Sequence, residues 1–365
     1  MDPLPASVLP AGVRARIVPG INGLDIHLLE AGHETPGRPA VLLLHGFPEI
    51  AYSWRKILPA LAAAGYHAIA PDQRGYGRTT GWDADYDGDL TGFRFMNLLR
   101  DAIGVLFASG HRTAEAVVGH DFGASVAAYA ALVRGDIFKR MVLMSAPFGG
   151  APIGGRSSSV HDDLAKLGRK HYQWYYSTRE ADDNMRRCPQ GVHAFLRAYY
   201  HYKSADWPGN KPFPLKGWIA SELAKMPTYY IMELDKGMAE TVAPYLPTKP
   251  APWLTDEELR VYAEAFERNG FQGGLQWYRC ATNPQYSAEL AAAASGKTID
   301  IPAMYIAGAS DWGVHQKPGE FERMQGEMCS DFRGAHLVEG AGHWVQQEQP
   351  RQTATLLVDF LRRAG

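Results

Sequence analysis

The 365 residues, 46% hydrophobic and 21% charged, suffice for one large domain carrying an insertion or for two domains with a sizeable core. Thirty-seven basic side chains against 39 acidic ones leave a formal charge of −2, which offers no electrostatic footprint for nucleic acid. No stretch reaches the roughly 18 uninterrupted apolar residues that cross a bilayer, and the N-terminus lacks a basic segment followed by an apolar one, so a cytoplasmic protein without a membrane partner is expected.

Along the chain, Val13 to Val18 and Leu24 to Leu29 flank Pro19-Gly20-Ile21-Asn22-Gly23 and read as strand, turn, strand, an antiparallel edge. Compact apolar runs follow at Val41 to Leu44, His67 to Ala70, Ala116 to Gly119 and Met141 to Ser145. They do not alternate, which suits strands buried on both faces of a parallel sheet. Between them, Leu58 to Gly65, Leu98 to Gly110 and Ala124 to Val133 carry helical spacing or small apolar residues. The repeated strand and helix predict an α/β fold with a mostly parallel, doubly wound sheet. After Ser145 the rhythm breaks. Phe148 to Ser159 is rich in Gly, Ser and Pro, and aromatic helical pieces follow, separated by Pro-rich loops around Trp207 to Pro214 and Ala243 to Trp253. The sheet pattern resumes at Ile301 to Gly308 and His336 to Gly340, and Thr353 to Arg363 supplies a last amphipathic helix. A core domain of residues 1–147 and 285–365 interrupted by a helical lid at 148–284 is therefore expected. Cys188, Cys280 and Cys329 are far apart and show no zinc or redox spacing, so reduced buried thiols are expected.

Four short segments carry chemistry. Gly119-His120-Asp121-Phe122-Gly123 stands where a buried strand gives way to an Ala-rich helix, the context of a nucleophile elbow with Asp in place of Ser. An Asp before a helix also serves as an N-cap; the helix N-terminus favours an ionised carboxylate in either role. His45-Gly46-Phe47-Pro48-Glu49 follows the strand Val41 to Leu44 and falls where an oxyanion loop belongs, the backbone N–H groups of Phe47 and Phe122 being the candidate donors. Ala307-Gly308-Ala309-Ser310-Asp311 follows one later strand and Gly340-Ala341-Gly342-His343-Trp344 the next. Asp121, Asp311 and His343 thus lie in the chain order of an α/β-hydrolase triad.

These segments, with Tyr52-Ser53-Trp54-Arg55, Asp72-Gln73-Arg74-Gly75-Tyr76-Gly77 and Gln349-Pro350, make the chain resemble the soluble epoxide hydrolases of the α/β-hydrolase superfamily. The similarity covers nearly the whole chain, and no counterpart of the long N-terminal domain of larger members is expected. In the lid, His171-Tyr172-Gln173-Trp174-Tyr175-Tyr176 and Leu275-Gln276-Trp277-Tyr278-Arg279 look like the segments bearing that family's ring-opening tyrosines. Residue-by-residue matching implies Tyr172 and Tyr278, with Tyr175 and Tyr176 as near competitors. The resemblance implies attack of Asp121 on an epoxide carbon, a covalent ester, and its hydrolysis by water activated by His343 with Asp311. A small apolar epoxide and water are the expected partners, as monomer or homodimer, with no cofactor and no metal; none of the thirteen histidines joins a recognisable ligand cluster.

Three other readings compete. Dehalogenases share an Asp nucleophile but need a halide or carboxylate binder beside it, and Phe122 has no side-chain donor. An esterase would have to pass through an anhydride. A binding protein on a degenerate hydrolase fold is the non-enzymatic alternative, although the full set of triad residues stands against it. For the substrate pocket, Trp54, Trp174 and Trp277 are the candidate apolar walls, alongside Phe47 and Phe122.

Overall fold

The computed structural model describes residues 1–150 and 159–363. Most of the Phe148 to Ser159 stretch lies outside the described residues. The strands are β1 (Val13–Ile21), β2 (Leu24–Ala31), β3 (Ala40–Leu44), β4 (His67–Pro71), β5 (Ala114–His120), β6 (Met141–Met144), β7 (Arg169–His171), β8 (Ile231–Glu233), β9 (Ala303–Gly308) and β10 (Phe332–Val338). Eight of them form one sheet in the order β1-β2-β4-β3-β5-β6-β9-β10, and β7 pairs with β8 separately. The first two pairings, β1 with β2 and β2 with β4, are antiparallel; the rest of the large sheet is parallel. The α/β-hydrolase reading of the apolar runs thus holds. Strands β3, β4 and β9 are buried along their whole length, as a sheet covered on both faces requires.

Two local departures have physical causes. β1 continues through Pro19 to Ile21 with an irregularity after Val18, and the reversal is confined to Asn22 and Gly23, whose φ values of 50° and 81° suit a two-residue hairpin turn. β10 begins at Phe332 rather than His336, because this edge strand alternates partly exposed residues and so shows no continuous apolar run.

Strand order reverses between β3 and β5: the chain leaves β3 toward β4 on one side, and later strands build outward from β5 on the other. Ligands of open parallel sheets bind beyond the carboxyl ends of the strands at such a point. Residues 45–49 and Asp121 occupy that position, directly after β3 and β5.

Between β6 and β9 the chain leaves the large sheet. It forms helices including Tyr172–Tyr176, Gly191–Lys203, Asp256–Asn269 and Gln272–Thr282, with the small β7–β8 pair between them. Helix Gln272–Thr282 meets the core where two glycine backbones touch: a Cβ at Gly273 would lie 2.2 Å from the Gly75 carbonyl oxygen. The Trp277 indole donates to the Arg74 carbonyl at 2.9 Å. Gly75 within Gln73-Arg74-Gly75-Tyr76 is therefore the docking point for the helix that carries Tyr278, and its φ of 92° adds a second requirement for glycine.

Candidate active site

Asp121 sits between β5 and the helix Phe122–Val133 at φ 52° and ψ −119°, a backbone state that costs an L-residue energy and is found at sharp functional turns. Its flanking glycines are there for space. A Cβ at Gly119 would stand 2.1 Å from the Gly123 carbonyl oxygen, and one at Gly123 would stand 2.3 Å from that of Leu44. The Phe47 N–H donates to Asp121 Oδ1 at 3.0 Å. Phe122 opens the helix, so its N–H belongs to the group without an intrahelical acceptor. The loop after β3 thus presents one backbone donor at the carboxylate, and the first turn of this helix begins beside it.

His343 Nε2 lies 3.3 Å from Asp121 Oδ2, within ion-pair reach but not aligned as a hydrogen bond. On the other side of the ring, Nδ1 is 3.1 Å from Asp311 Oδ1 and 2.7 Å from Ser145 Oγ. Asp311 Oδ1 also accepts from the Gly313 N–H at 2.7 Å. Burial opposes charge on Asp121, but His343, Lys203 and His120 more than offset it and hold the carboxyl below the ordinary range. Asp311 is likewise held low against its burial, chiefly by His343. Both acids therefore stay ionised at neutral pH.

The backbone around His343 is tied down from three directions. Its N–H donates to the Lys203 carbonyl at 2.9 Å. Its own carbonyl accepts from His120 Nε2 at 2.7 Å, while His120 Nδ1 faces Glu49 Oε2 at 2.6 Å. With an acceptor at each nitrogen, His120 carries both ring protons; burial alone would lower its pKa, and Glu49 raises it overall. Glu348 accepts from the Gly342 and Trp344 N–H groups on either side of His343, each at 2.9 Å. Neither His120 nor Glu49 nor Glu348 stood out in the sequence as more than a motif neighbour, because only the folded chain sets them against His343.

Above Asp121 lies a cavity of about 880 Å³, whose walls include Asp121, Phe122, Tyr172, Trp174, Tyr278 and Gln316. The Tyr172 and Tyr278 rings are 5.9 Å apart, and Tyr278 stands edge-on to Phe122 at 4.6 Å. The Tyr172 hydroxyl donates to Gln316 Oε1 at 3.2 Å and accepts from Gln173 Nε2 at 3.2 Å. Burial, and then the Asp121 charge, push both phenols well above the usual tyrosine range, so both remain proton donors. Tyr175 and Tyr176 are not among the lining residues; the Tyr176 hydroxyl turns to Tyr199 at 3.3 Å. Gln316, which orients Tyr172, follows Asp311 by five positions in a loop and has no sequence signal of its own.

Of the three tryptophans expected to line the pocket, only Trp174 does. Trp54 is completely buried in the 3-10 turn Ala51–Trp54. Trp277 stands behind Phe122, with ring centroids 5.6 Å apart. Both are packing residues; on the helix Gln272–Thr282 successive side chains face different ways, and Tyr278, not Trp277, has the cavity side.

A family profile described as alpha/beta hydrolase fold matches residues 39–350. Epoxide hydrolase B of Mycobacterium tuberculosis is 33% identical over 353 residues, covering 93% of this chain and 96% of that protein. Among the solved structures that resemble this chain are two further epoxide hydrolases. An epoxide hydrolase from an endophytic Streptomyces has a TM-score of 0.77 at 32% identity, covering 97% of this chain and 96% of its own. Epoxide hydrolase A from Mycobacterium thermoresistibile has a TM-score of 0.76 at 32% identity, covering 97% and 99%. The chain belongs to the epoxide hydrolase family of the α/β-hydrolase fold. The family resemblance read from the sequence is thereby borne out. Among the described residues no helix is long and apolar enough to cross a membrane.

Proposed function

We propose that the protein hydrolyses epoxides to vicinal diols through an ester on Asp121, with 148–284 serving as lid to a core of 1–147 and 285–365. The observation that carries this is the pair of protonated phenols, Tyr172 and Tyr278, on the wall of the same cavity as an ionised Asp121. An epoxide oxygen leaves as an alkoxide, and only a strong donor beside it makes that departure easy. A halide would need a donor next to the nucleophile, where Phe122 has none.

In the first half-reaction, one Asp121 oxygen attacks an epoxide carbon while Tyr172 and Tyr278 donate to the ring oxygen, the C–O bond breaks, and a hydroxyalkyl ester forms. In the second, His343, oriented by Asp311, takes a proton from water, and the hydroxide adds to the ester carbonyl. The Phe47 and Phe122 N–H groups hold the resulting oxyanion. Collapse of that intermediate expels the alkoxide, which takes the proton His343 gained and leaves as the diol, and the proton left on the Asp121 carboxyl returns to the tyrosine that protonated the ring oxygen, so that carboxylate, imidazole and phenols are all restored.

This chemistry uses only side chains, backbone N–H groups and water. Three buried free thiols, Cys188, Cys280 and Cys329, suit a reducing cytoplasm, and the reading takes the enzyme as a monomer or homodimer. The test is a single turnover of styrene oxide by excess enzyme in ¹⁸O-labelled water. Unlabelled diol with label retained in Asp121 is the expected result. Labelled diol in that first turnover means direct attack by water and overturns the ester route.

A further inference from the structure

Ser145 follows β6 in a conformation that serine rarely adopts. Only three non-glycine residues among those described have positive φ: Asn22 in the hairpin turn, Asp121, and Ser145 at 69°. Such a backbone persists only when its surroundings enforce it. Here the enforcement is visible: the Ser145 N–H donates to the Ile306 carbonyl at 3.0 Å, and its carbonyl accepts from the Tyr305 hydroxyl at 2.7 Å. The side chain is fully buried. It is packed closely enough that a Cβ on Gly313 would lie 2.6 Å from Ser145 Oγ and 2.9 Å from Asp311 Oδ1.

The hydroxyl so placed meets the catalytic histidine on the side normally reserved for the acid. Ser145 Oγ is 2.7 Å from His343 Nδ1, closer than Asp311 Oδ1 at 3.1 Å. The ring has one proton to offer on that side, and a hydroxyl can accept it while passing its own proton onward. Ser145 Oγ and Asp311 Oδ1 thus face the same ring nitrogen from two sides.

We propose that Ser145 is a positioning residue for His343, accepting from its Nδ1–H alongside Asp311, so that the imidazole is held by a hydroxyl and a carboxylate together. The proposal rests on the two-step ester route. No proton changes owner on this side: the Nδ1 proton stays on His343 and the hydroxyl proton on Ser145. When Nε2 takes the proton of the attacking water, the new positive charge is stabilised by both partners. The hydroxyl therefore matters to ester hydrolysis and not to ring opening, where His343 gains no charge.

Glycine is the informative replacement, because φ of 69° suits it and the fold keeps its backbone at no conformational cost. S145G and H343Q are compared with the parent enzyme in quenched-flow turnovers of styrene oxide, with the ester on Asp121 measured by mass spectrometry. For S145G we expect an unchanged melting temperature and ring-opening rate. Ester hydrolysis should slow about tenfold or more, the loss of one charge-assisted hydrogen bond, so that ester accumulates. The acid limb of the hydrolysis step should move to lower pH, since the imidazolium has lost an acceptor. Hydrolysis by S145G at the parental rate with an unmoved acid limb, while H343Q still traps ester, overturns the role of Ser145 alone. Equal slowing of both half-reactions also overturns it, since that marks a general distortion. No ester in H343Q overturns the ester route and this role with it.

Discussion

A single methyl group at Gly46 is the smallest change that reaches the proposed nucleophile. A Cβ built on Gly46 would lie 2.4 Å from Asp121 Cβ, 2.5 Å from Oδ1 and 2.8 Å from Cγ, against an ordinary contact of 3.4–4 Å. The backbone at Gly46 is not in the left-handed region, so alanine is excluded by the carboxylate and by nothing in its own conformation. Relief of the clash requires a displacement of about 1 Å, and misplacement of a reacting group by that distance costs on the order of a hundredfold in rate. The Phe47 N–H bond to Oδ1, 3.0 Å long, is broken by the same movement. Overpacking of this kind lowers stability by about 1–3 kcal/mol, which a core of this size survives. Gly46→Ala is therefore expected to remain folded by circular dichroism and to open styrene oxide about a hundredfold more slowly in a single turnover. A folded variant with an unchanged ring-opening rate would refute the placement of Asp121 as the attacking group.

Tyr172→Phe and Tyr278→Phe should each slow ring opening by about 10- to 100-fold, the value of one hydrogen bond to a developing charge, and leave hydrolysis of preformed ester unaffected; rapid-quench measurement of both steps separates the two effects. Because the Asp121 carboxyl is held below the ordinary range, it is ionised throughout mildly acidic conditions, and the ring-opening rate should be flat from neutrality to about pH 5. The acid limb of turnover then belongs to ester hydrolysis, which needs a neutral imidazole; a matching acid limb in single-turnover ring opening would contradict this. Far from the site, Glu30 is buried beneath His67, Arg16 and Arg14. These partners overcome its desolvation and lower its pKa from 4.5 to about 2. A depressed carboxylate contributes stability that is complete above its unfolded value and is lost as pH falls from about 4.5 toward 2. Urea unfolding of Glu30→Gln should therefore show a lower plateau near neutrality and a shallower acid decline than the parent; parallel curves would show that the ion pairs contribute nothing.

The sequence by itself determined the sheet, the tight turn at Asp121 and the chain order of Asp121, Asp311 and His343, because each is written in short segments of adjacent residues. Buried strands appear as apolar runs. The glycine at 119 is demanded by a backbone contact inside a single turn, with the Gly123 carbonyl, and Asp311 and His343 each stand just beyond a strand. The edge strand β10 was misplaced at its start and the β7–β8 pair went unseen, since short, partly exposed strands leave no continuous apolar signature. Tertiary structure alone decided which aromatics face the cavity. Tyr172 and Tyr278 are on its wall while Trp277 and Trp54 are buried outside it; for the helix Gln272–Thr282, which carries Trp277 and Tyr278, this is a matter of docking at the backbone contact of Gly75 with Gly273, across 198 positions of chain. It also brought Ser145, His120 and Glu348 around His343. Serine, histidine and glutamate have no fixed meaning in a sequence, and a hydrogen bond acquires its partner only when distant strand ends converge.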